Sequence, residues 1–321
     1  MSFTDIKYNS LITNILENGI YDREDKIRAK YSDGTPATAI QLPNQQLKFD
    51  SSIEVPILTT KRVPLKDPIK ELFWIWQKMS NKVQELRDTG CTVWDEWERE
   101  DGTIGRAYGW QLKNNLRSVK VDDVLVDMLI NGELSISPKK EEIDYEQIDT
   151  IKQEILDGYK FDDIDLNQVD FLLYQLKKNP YSRQIKTTLW KVDDLDKMAL
   201  PPCVYETHWF MHDEKLCLTV NIRSNDMALG NPYNIYQYYI LHRLIGQVSN
   251  LEIGELCFNM DIPHIYGKHV ETIKQQLKGE QHEQPTVWIN PEIKSFYDFK
   301  LDDIKVENYK HNGNFKYEIA I

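Results

Sequence analysis

The stretch "ALPPCVYETHWF" (199–210) sets one cysteine, Cys203, behind two prolines and ahead of an aromatic-rich run that alternates like a strand. Each proline fixes φ and withholds a backbone donor, so the chain enters Cys203 through a rigid turn and the backbone sets the direction of the thiol. Such a mount suits a nucleophile. It also suits a small buried hydrophobe, the commoner use of a free cysteine, and the local motif leaves both readings open.

A second stretch, "NIRSNDMALGNPYNIYQY" (221–238), ends a strand with Arg223, Ser224, Asn225 and Asp226, then turns through Gly230, Asn231 and Pro232 into an apolar helix opening near Asn234. An arginine and a serine leaving a strand together can hold an anion by charge-assisted hydrogen bonds, and phosphate suits the guanidinium fork. A helix N-terminus nearby adds positive potential. Arg223 could also be a plain surface ion-pair partner. The Asn234 carboxamide offers a donor and an acceptor, which match the edge of a uracil ring, although an N-terminal cap is an equal use of asparagine there. His264 and Tyr266 in "NMDIPHIYGKHVE" stand two apart and share a face if extended, where both could reach a sugar hydroxyl. A deaminase-type zinc site would need a second cysteine after Pro202 and Cys203, and Val204, Tyr205 and Glu206 follow instead. No metal site is expected.

These residues need elements to position them. "IKELFWIWQKMSNKVQELRD" (69–88) has a helical period, and "NIYQYYILHRLIGQVSNL" (234–251) is apolar nearly all round, as a central buried helix should be. Strand-like runs are "TAIQLPNQQLKFD", "RQIKTTLW", "VYETHWFMH", "KLCLTVNIRS" and "ELCFNMDIPHIY". Helices and strands mix without a βαβ beat, so an α+β fold is expected rather than a doubly wound sheet.

The 321 residues are 41% hydrophobic and 28% charged, and lack an apolar run near the roughly 20 residues of a bilayer span. The N-terminal stretch reads as an amphipathic helix with acids inside it, not as a signal peptide, so a cytoplasmic protein with no membrane partner is expected. Cys91, Cys203, Cys217 and Cys257 show no paired spacing and fit a reducing compartment. A net charge of −12 argues against DNA as a partner, but a few local arginines could still hold a small anion. The acidity concentrates in 121–168, where fourteen Asp and Glu face four Lys around apolar residues at helical spacing. The expectation is a single domain over 1–321 with an acidic helical insertion at about 115–167.

Taken together, "DGTPATAI", "VPILTTKRV", "IKELFWIW", "VWDEWEREDGTIGRAYGWQL", "NPYSRQI", "MALPPCVYETHWF", "RSNDMALGNPYNI", "HIYGKH" and the terminal "EIAI" resemble the thymidylate synthase family in order and spacing. The resemblance implies a mixed sheet packed by helices, with the sheet at a homodimer interface and active sites shared between subunits. It implies conversion of dUMP to dTMP with 5,10-methylenetetrahydrofolate as cosubstrate. Cys203 would attack C6 of the uracil as thiolate, favoured by the cationic Arg223, which would also hold the phosphate with Ser224 and Asn225. Asn234 would read the uracil edge, His264 and Tyr266 the sugar, Glu71 would organise proton traffic near O4, and Tyr108 would stand near the C5 proton. On the folate side the resemblance places Trp94, Asp226, Gly230 and Lys61, the last toward the acidic folate tail, with Ala320 and Ile321 as a terminal lid.

Departures from the family pattern lie around the phosphate. Val204 replaces the usual histidine after the nucleophile, Ile222 replaces a glutamine before Arg223, and "SRQI" keeps Arg183 of a partner-donated arginine pair but has Gln184 for the other. The N-terminal Arg-Thr-Gly loop is replaced by "RAKYSDGTPAT", leaving Arg28 as the nearest counterpart. A deoxyuridylate hydroxymethylase would share the thiol addition but omit the hydride, and Trp94 disfavours it. A non-catalytic nucleotide or RNA binder would have no use for both Cys203 and Glu71.

Overall fold

The computed structural model describes residues 2–139, 143–159 and 162–320. Helix α1 (Phe3–Asn18) starts where the Ser2 hydroxyl accepts from the Asp5 amide, and buries Tyr8, Leu11, Ile12 and Ile15 at helical spacing. Strands β1 (Ile20–Tyr21), β2 (Ala39–Gln41) and β3 (Gln45–Asp50) follow, with Asn44 at φ +57 between β2 and β3. After α2 (Asp67–Leu72) and α3 (Val83–Arg87) comes α4 (Gly109–Asn114). The described residues of 117–166 then form a satellite in which β4 (Arg117–Lys120) pairs antiparallel with β5 (Asp163–Leu166). There α5 (Asp123–Ile130) packs on α6 (Ile148–Tyr159) around Val126, Ile130 and Ile143.

Helix α7 (Gln168–Lys178) returns the chain to the main body. Strands β6 (Lys186–Thr188), β7 (Val204–His212) and β8 (Lys215–Ile222) then precede the short β9 (Asn225–Asp226) and the long helix α8 (Gly230–Val248). The chain closes with β10 (Ile253–Met260), β11 (Pro263–Tyr266), α9 (Val270–Leu277) and the hairpin of β12 (Thr286–Ile289) with β13 (Ile304–Glu307). The main sheet runs β3-β10-β8-β7-β6, parallel only between β10 and β8. A smaller sheet, β1-β2-β11-β9, stands beside it. The architecture is α+β, as the mixed pattern predicts.

Alternation sorts the two faces of the main sheet. Trp209, Leu216, Leu218, Val220, Leu256 and Phe258 are buried in the same core as α8. A register shift between Val204 and Glu206 keeps Val204 inside while Glu206 points out. On the outer face a polar row crosses all five strands. Lys186 and Asn221 both donate to Glu206 at 3.0 Å, Asn259 donates to Asn221 at 3.0 Å, and Gln46 donates to Asn259 at 2.7 Å.

Three expectations need correction. The helix expected over 69–88 is broken: α2 widens into a π-turn over Phe73–Gln77, where the Lys78 amide reaches back to the Phe73 carbonyl, and Met79 at φ +48 ends it. The wide turn seats Trp74 and Trp76 inside the core. The run 255–266 divides at Asp261 and Ile262 into two strands belonging to different sheets. Helix α8 begins at Gly230, so Asn234 lies one turn inside it and is not a cap.

Candidate active site

Cys203 ends the Pro-Pro turn where β7 begins, directly beside the end of β8. The Arg223 amide donates to the Cys203 carbonyl at 3.0 Å, and the Arg223 side chain turns back on the same turn. Its Nε donates to the Pro202 carbonyl at 2.9 Å and its Nη2 to the Pro201 carbonyl at 2.7 Å. Two carbonyls in a turn poor in donors are thereby satisfied, and the guanidinium rests against the Trp190 ring, 5.8 Å from its centroid. Nη1 makes no hydrogen bond among the described residues and is free for an anion. Burial pushes the Cys203 thiol up, Arg223 pulls it down, and Asp226 pushes it up again. Burial wins, so the resting group is a thiol.

From the other side the Tyr108 hydroxyl accepts the Cys203 amide at 3.2 Å. Tyr108 sits at φ +45 and ψ −107, a region that non-glycine residues avoid. The next residue must be glycine, because a Cβ on Gly109 would lie 2.3 Å from the Ser80 carbonyl oxygen. The turn brings the Tyr108 ring edge-on to Trp94 at 4.9 Å. Trp94 Nε1 donates to Glu71 Oε1 at 2.5 Å, and Gln237 Nε2 donates to Glu71 Oε2 at 2.6 Å. Burial raises the Glu71 carboxyl above the usual carboxylate range, opposed by Gln237, Trp94 and Tyr233.

Pairing of β9 with β11 sets His264 opposite Asp226, which gathers the third group. Asn234 Oδ1 accepts from Asn225 Nδ2 at 3.2 Å, and Asn225 in turn accepts from Asn231 at 2.6 Å. This relay orients the Asn234 carboxamide so that its donor end makes no hydrogen bond among the described residues. Gly230 lies against Asn225, Asp226 and Asn234. Asp226 Oδ1 accepts the Ala228 amide at 2.8 Å, and Oδ2 takes no hydrogen bond among the described residues. The His264 and Tyr266 rings meet edge-on at 4.9 Å. Burial, Asp226 and Cys203 all raise the Tyr266 phenol, so it stays protonated. Ser224 is half-buried between Arg223 and Asn225.

Other expected site residues stand elsewhere. Lys61 is buried rather than extended toward a surface: its Nζ donates to the Ala228 carbonyl at 2.6 Å over the Tyr317 ring, and burial lowers its pKa to about 8. Arg28 is exposed at the base of a hairpin spanning 29–37, and no contact ties it to Cys203. Arg183 and Gln184 are exposed before β6, at the end of the sheet away from Cys203. Ala320 is half-buried in the terminal segment, and Ile321 lies outside the described residues. The sequence reading missed Gln237, although a glutamine three residues beyond Asn234 in a buried helix was a usable signal. It also missed Trp190 and His269, for which no local pattern spoke.

Kinship along the whole chain places this α+β frame in a class of methyltransferases acting in dTMP biosynthesis. A sequence model of the thymidylate synthase family matches residues 6–321. A thymidylate synthase of Bacillus licheniformis is 47% identical over 322 aligned residues, covering 100% of both chains, and that of Bacillus phage phi3T matches equally. The solved structure of thermostable thymidylate synthase A from Bacillus subtilis superposes with a TM-score of 0.81 at 45% identity, covering 99% of each chain. The chain belongs to the thymidylate synthase family, and its activity is that of a thymidylate synthase.

Proposed function

We propose that this chain converts dUMP to dTMP with 5,10-methylenetetrahydrofolate, releasing dihydrofolate, and that Cys203 is its nucleophile. The observation that carries the assignment of roles is the double tie between Cys203 and Arg223, one backbone bond plus a guanidinium clamped on both proline carbonyls. Nucleotide phosphate at the free Nη1, with Ser224 Oγ beside it, orients the uracil above the thiol. The thiol loses its proton as it adds to C6, leaving negative charge on the C5–O4 enolate. Asn234 donates to and accepts from the uracil edge, and Glu71 relays protons near O4. Removal of the C5 proton falls to the region of Tyr108, whose hydroxyl already marks the Cys203 amide.

The folate supplies the one-carbon unit and then the hydride that reduces it. Asp226 Oδ2 and the face of Trp94 suit a pterin, and the terminal segment around Ala320 keeps water out. Lys61 helps shape this wall from behind the Ala228 carbonyl, a role different from direct contact with the folate tail. The polar outer face of the main sheet supports a homodimer in which Arg183 reaches the neighbour's phosphate. We read the chain as one domain bearing an acidic insertion, working in the cytoplasm, where its four cysteines stay free thiols.

The test is product stoichiometry. Purified protein given both substrates should yield dTMP and dihydrofolate in equal amounts, and Cys203→Ala should yield neither while keeping its fold. Formation of 5-hydroxymethyl-dUMP without dihydrofolate would overturn the reading.

A further inference from the structure

Behind Asn234 lies a buried relay of carboxamides whose polarity is set at its far end. Met260 closes β10, and its Sδ accepts from Asn231 Nδ2 at 3.4 Å. The same Nδ2 donates to Asn225 Oδ1 at 2.6 Å, and Asn225 Nδ2 donates to Asn234 Oδ1 at 3.2 Å. Asn225, Asn231 and Met260 are all buried, and the Asn225 amide is pinned to the Ile262 carbonyl at 3.1 Å. A thioether sulfur can only accept, and Asn231 Oδ1 makes no hydrogen bond among the described residues. Turning Asn231 over would therefore gain nothing and would set its oxygen against two acceptors, the sulfur and Asn225 Oδ1. Each carboxamide then dictates the next.

We propose that Asn225 and Asn231, anchored by the Met260 sulfur, are positioning residues that hold Asn234 in the one carboxamide orientation that takes uracil and refuses cytosine. This deepens the function proposed above and rests on its reading of Asn234. A uracil edge offers the O4 acceptor beside the N3–H donor, whereas cytosine offers an amino donor beside an N3 acceptor. With Asn234 Oδ1 turned toward Asn225, a second lone pair on that oxygen is left for N3–H, and Nδ2 is left for O4. Turned over, Asn234 would suit cytosine instead, but its Nδ2 would then face Asn225 Nδ2, donor against donor. Asn234 selects only because two buried side chains behind it have fixed its orientation.

The experiment measures dUMP and dCMP binding by calorimetry, without folate, in wild type, Asn225→Ala, Asn231→Leu, their double variant and Met260→Leu, with melting temperatures to check folding. A carboxamide released to both orientations spends about half its time in each, so dUMP affinity should fall only about twofold while dCMP affinity rises about three- to tenfold, the scale of one net hydrogen bond. Damage to the site would weaken both nucleotides and cannot produce a gain for dCMP. The relay acts in series, so the double variant should gain no more than the better single. Met260→Leu, close in volume but without the acceptor, should shift both affinities the same way by less, and it decides the matter alone if the asparagine variants do not fold. A dUMP-to-dCMP ratio equal to that of wild type, parallel weakening of both nucleotides, or gains that multiply in the double variant would each overturn the relay. Formation of dTMP by wild type is measured separately: product with an unmoved ratio strikes the relay alone, and no product strikes the assigned reaction.

Discussion

Arg223→Ala tests how the thiol becomes a nucleophile. Of the groups acting on Cys203, burial and Asp226 hold it protonated, and Arg223 alone opposes them. Each pKa unit is about a tenfold change in thiolate. Arg223→Ala should therefore move the midpoint of Cys203 alkylation by iodoacetamide upward. At pH 8, below the midpoint in both proteins, the rate should fall about tenfold for every pH unit by which the midpoint moves. Cys203→Ser sets the background, which should be low because burial pushes Cys91 and Cys257 up to about 11. Arg223→Lys keeps the charge but loses the fork that holds both proline carbonyls, so its alkylation profile should stay near that of wild type while its melting temperature drops. A folded Arg223→Ala whose profile overlies wild type would refute the electrostatic role.

Glu71→Gln should reduce dTMP formation by about a hundredfold or more, the usual scale of lost proton transfer. It should also flatten the acid side of the stability curve. Burial raises the folded-state pKa of Glu71, so the native state binds the extra proton and wild-type stability falls as pH rises through that window; urea melts should show this slope shrinking in the variant. Val204→His places an imidazole against Ile222, its buried cross-strand partner, and should cost about 1–3 kcal/mol. Adding Ile222→Gln should recover part of that loss, a coupling of about 0.5 kcal/mol or more in denaturant melts, whereas strict additivity would mean the two positions do not act as a pair. Arg183→Glu mixed with Cys203→Ala should regain activity through heterodimers if the site is shared, and no gain over either parent would count against sharing.

Where local chemistry decides structure, the chain was legible before its fold was seen. The run 204–212 became β7 to the residue, because alternating apolar and polar side chains suit one buried face. The buried helix was expected from its all-round apolarity, though its start lay four residues earlier, since Gly230, Asn231 and Pro232 suit a first turn as well as a loop. Tertiary demands were not legible. Phe73–Gln77 looks helical in sequence, and only the need to bury two tryptophans explains its wide turn. Lys61 reads as a surface cation, yet the core closes over its stem and an isolated carbonyl takes its charge. The two apolar departures, Val204 and Ile222, looked independent along the chain. Strand register makes them one contact, so the loss of a polar pair leaves no unsatisfied group behind.

The most direct measurement is mass spectrometry of the protein incubated with 5-fluoro-dUMP and 5,10-methylenetetrahydrofolate, followed by peptide mapping. A fluorine at C5 cannot leave as a proton does, so the nucleotide should remain bonded together with the folate to the peptide carrying Cys203, and Cys203→Ala should carry neither. Turnover of dUMP by a protein that forms no such adduct, or an adduct mapped to another side chain, would contradict the account.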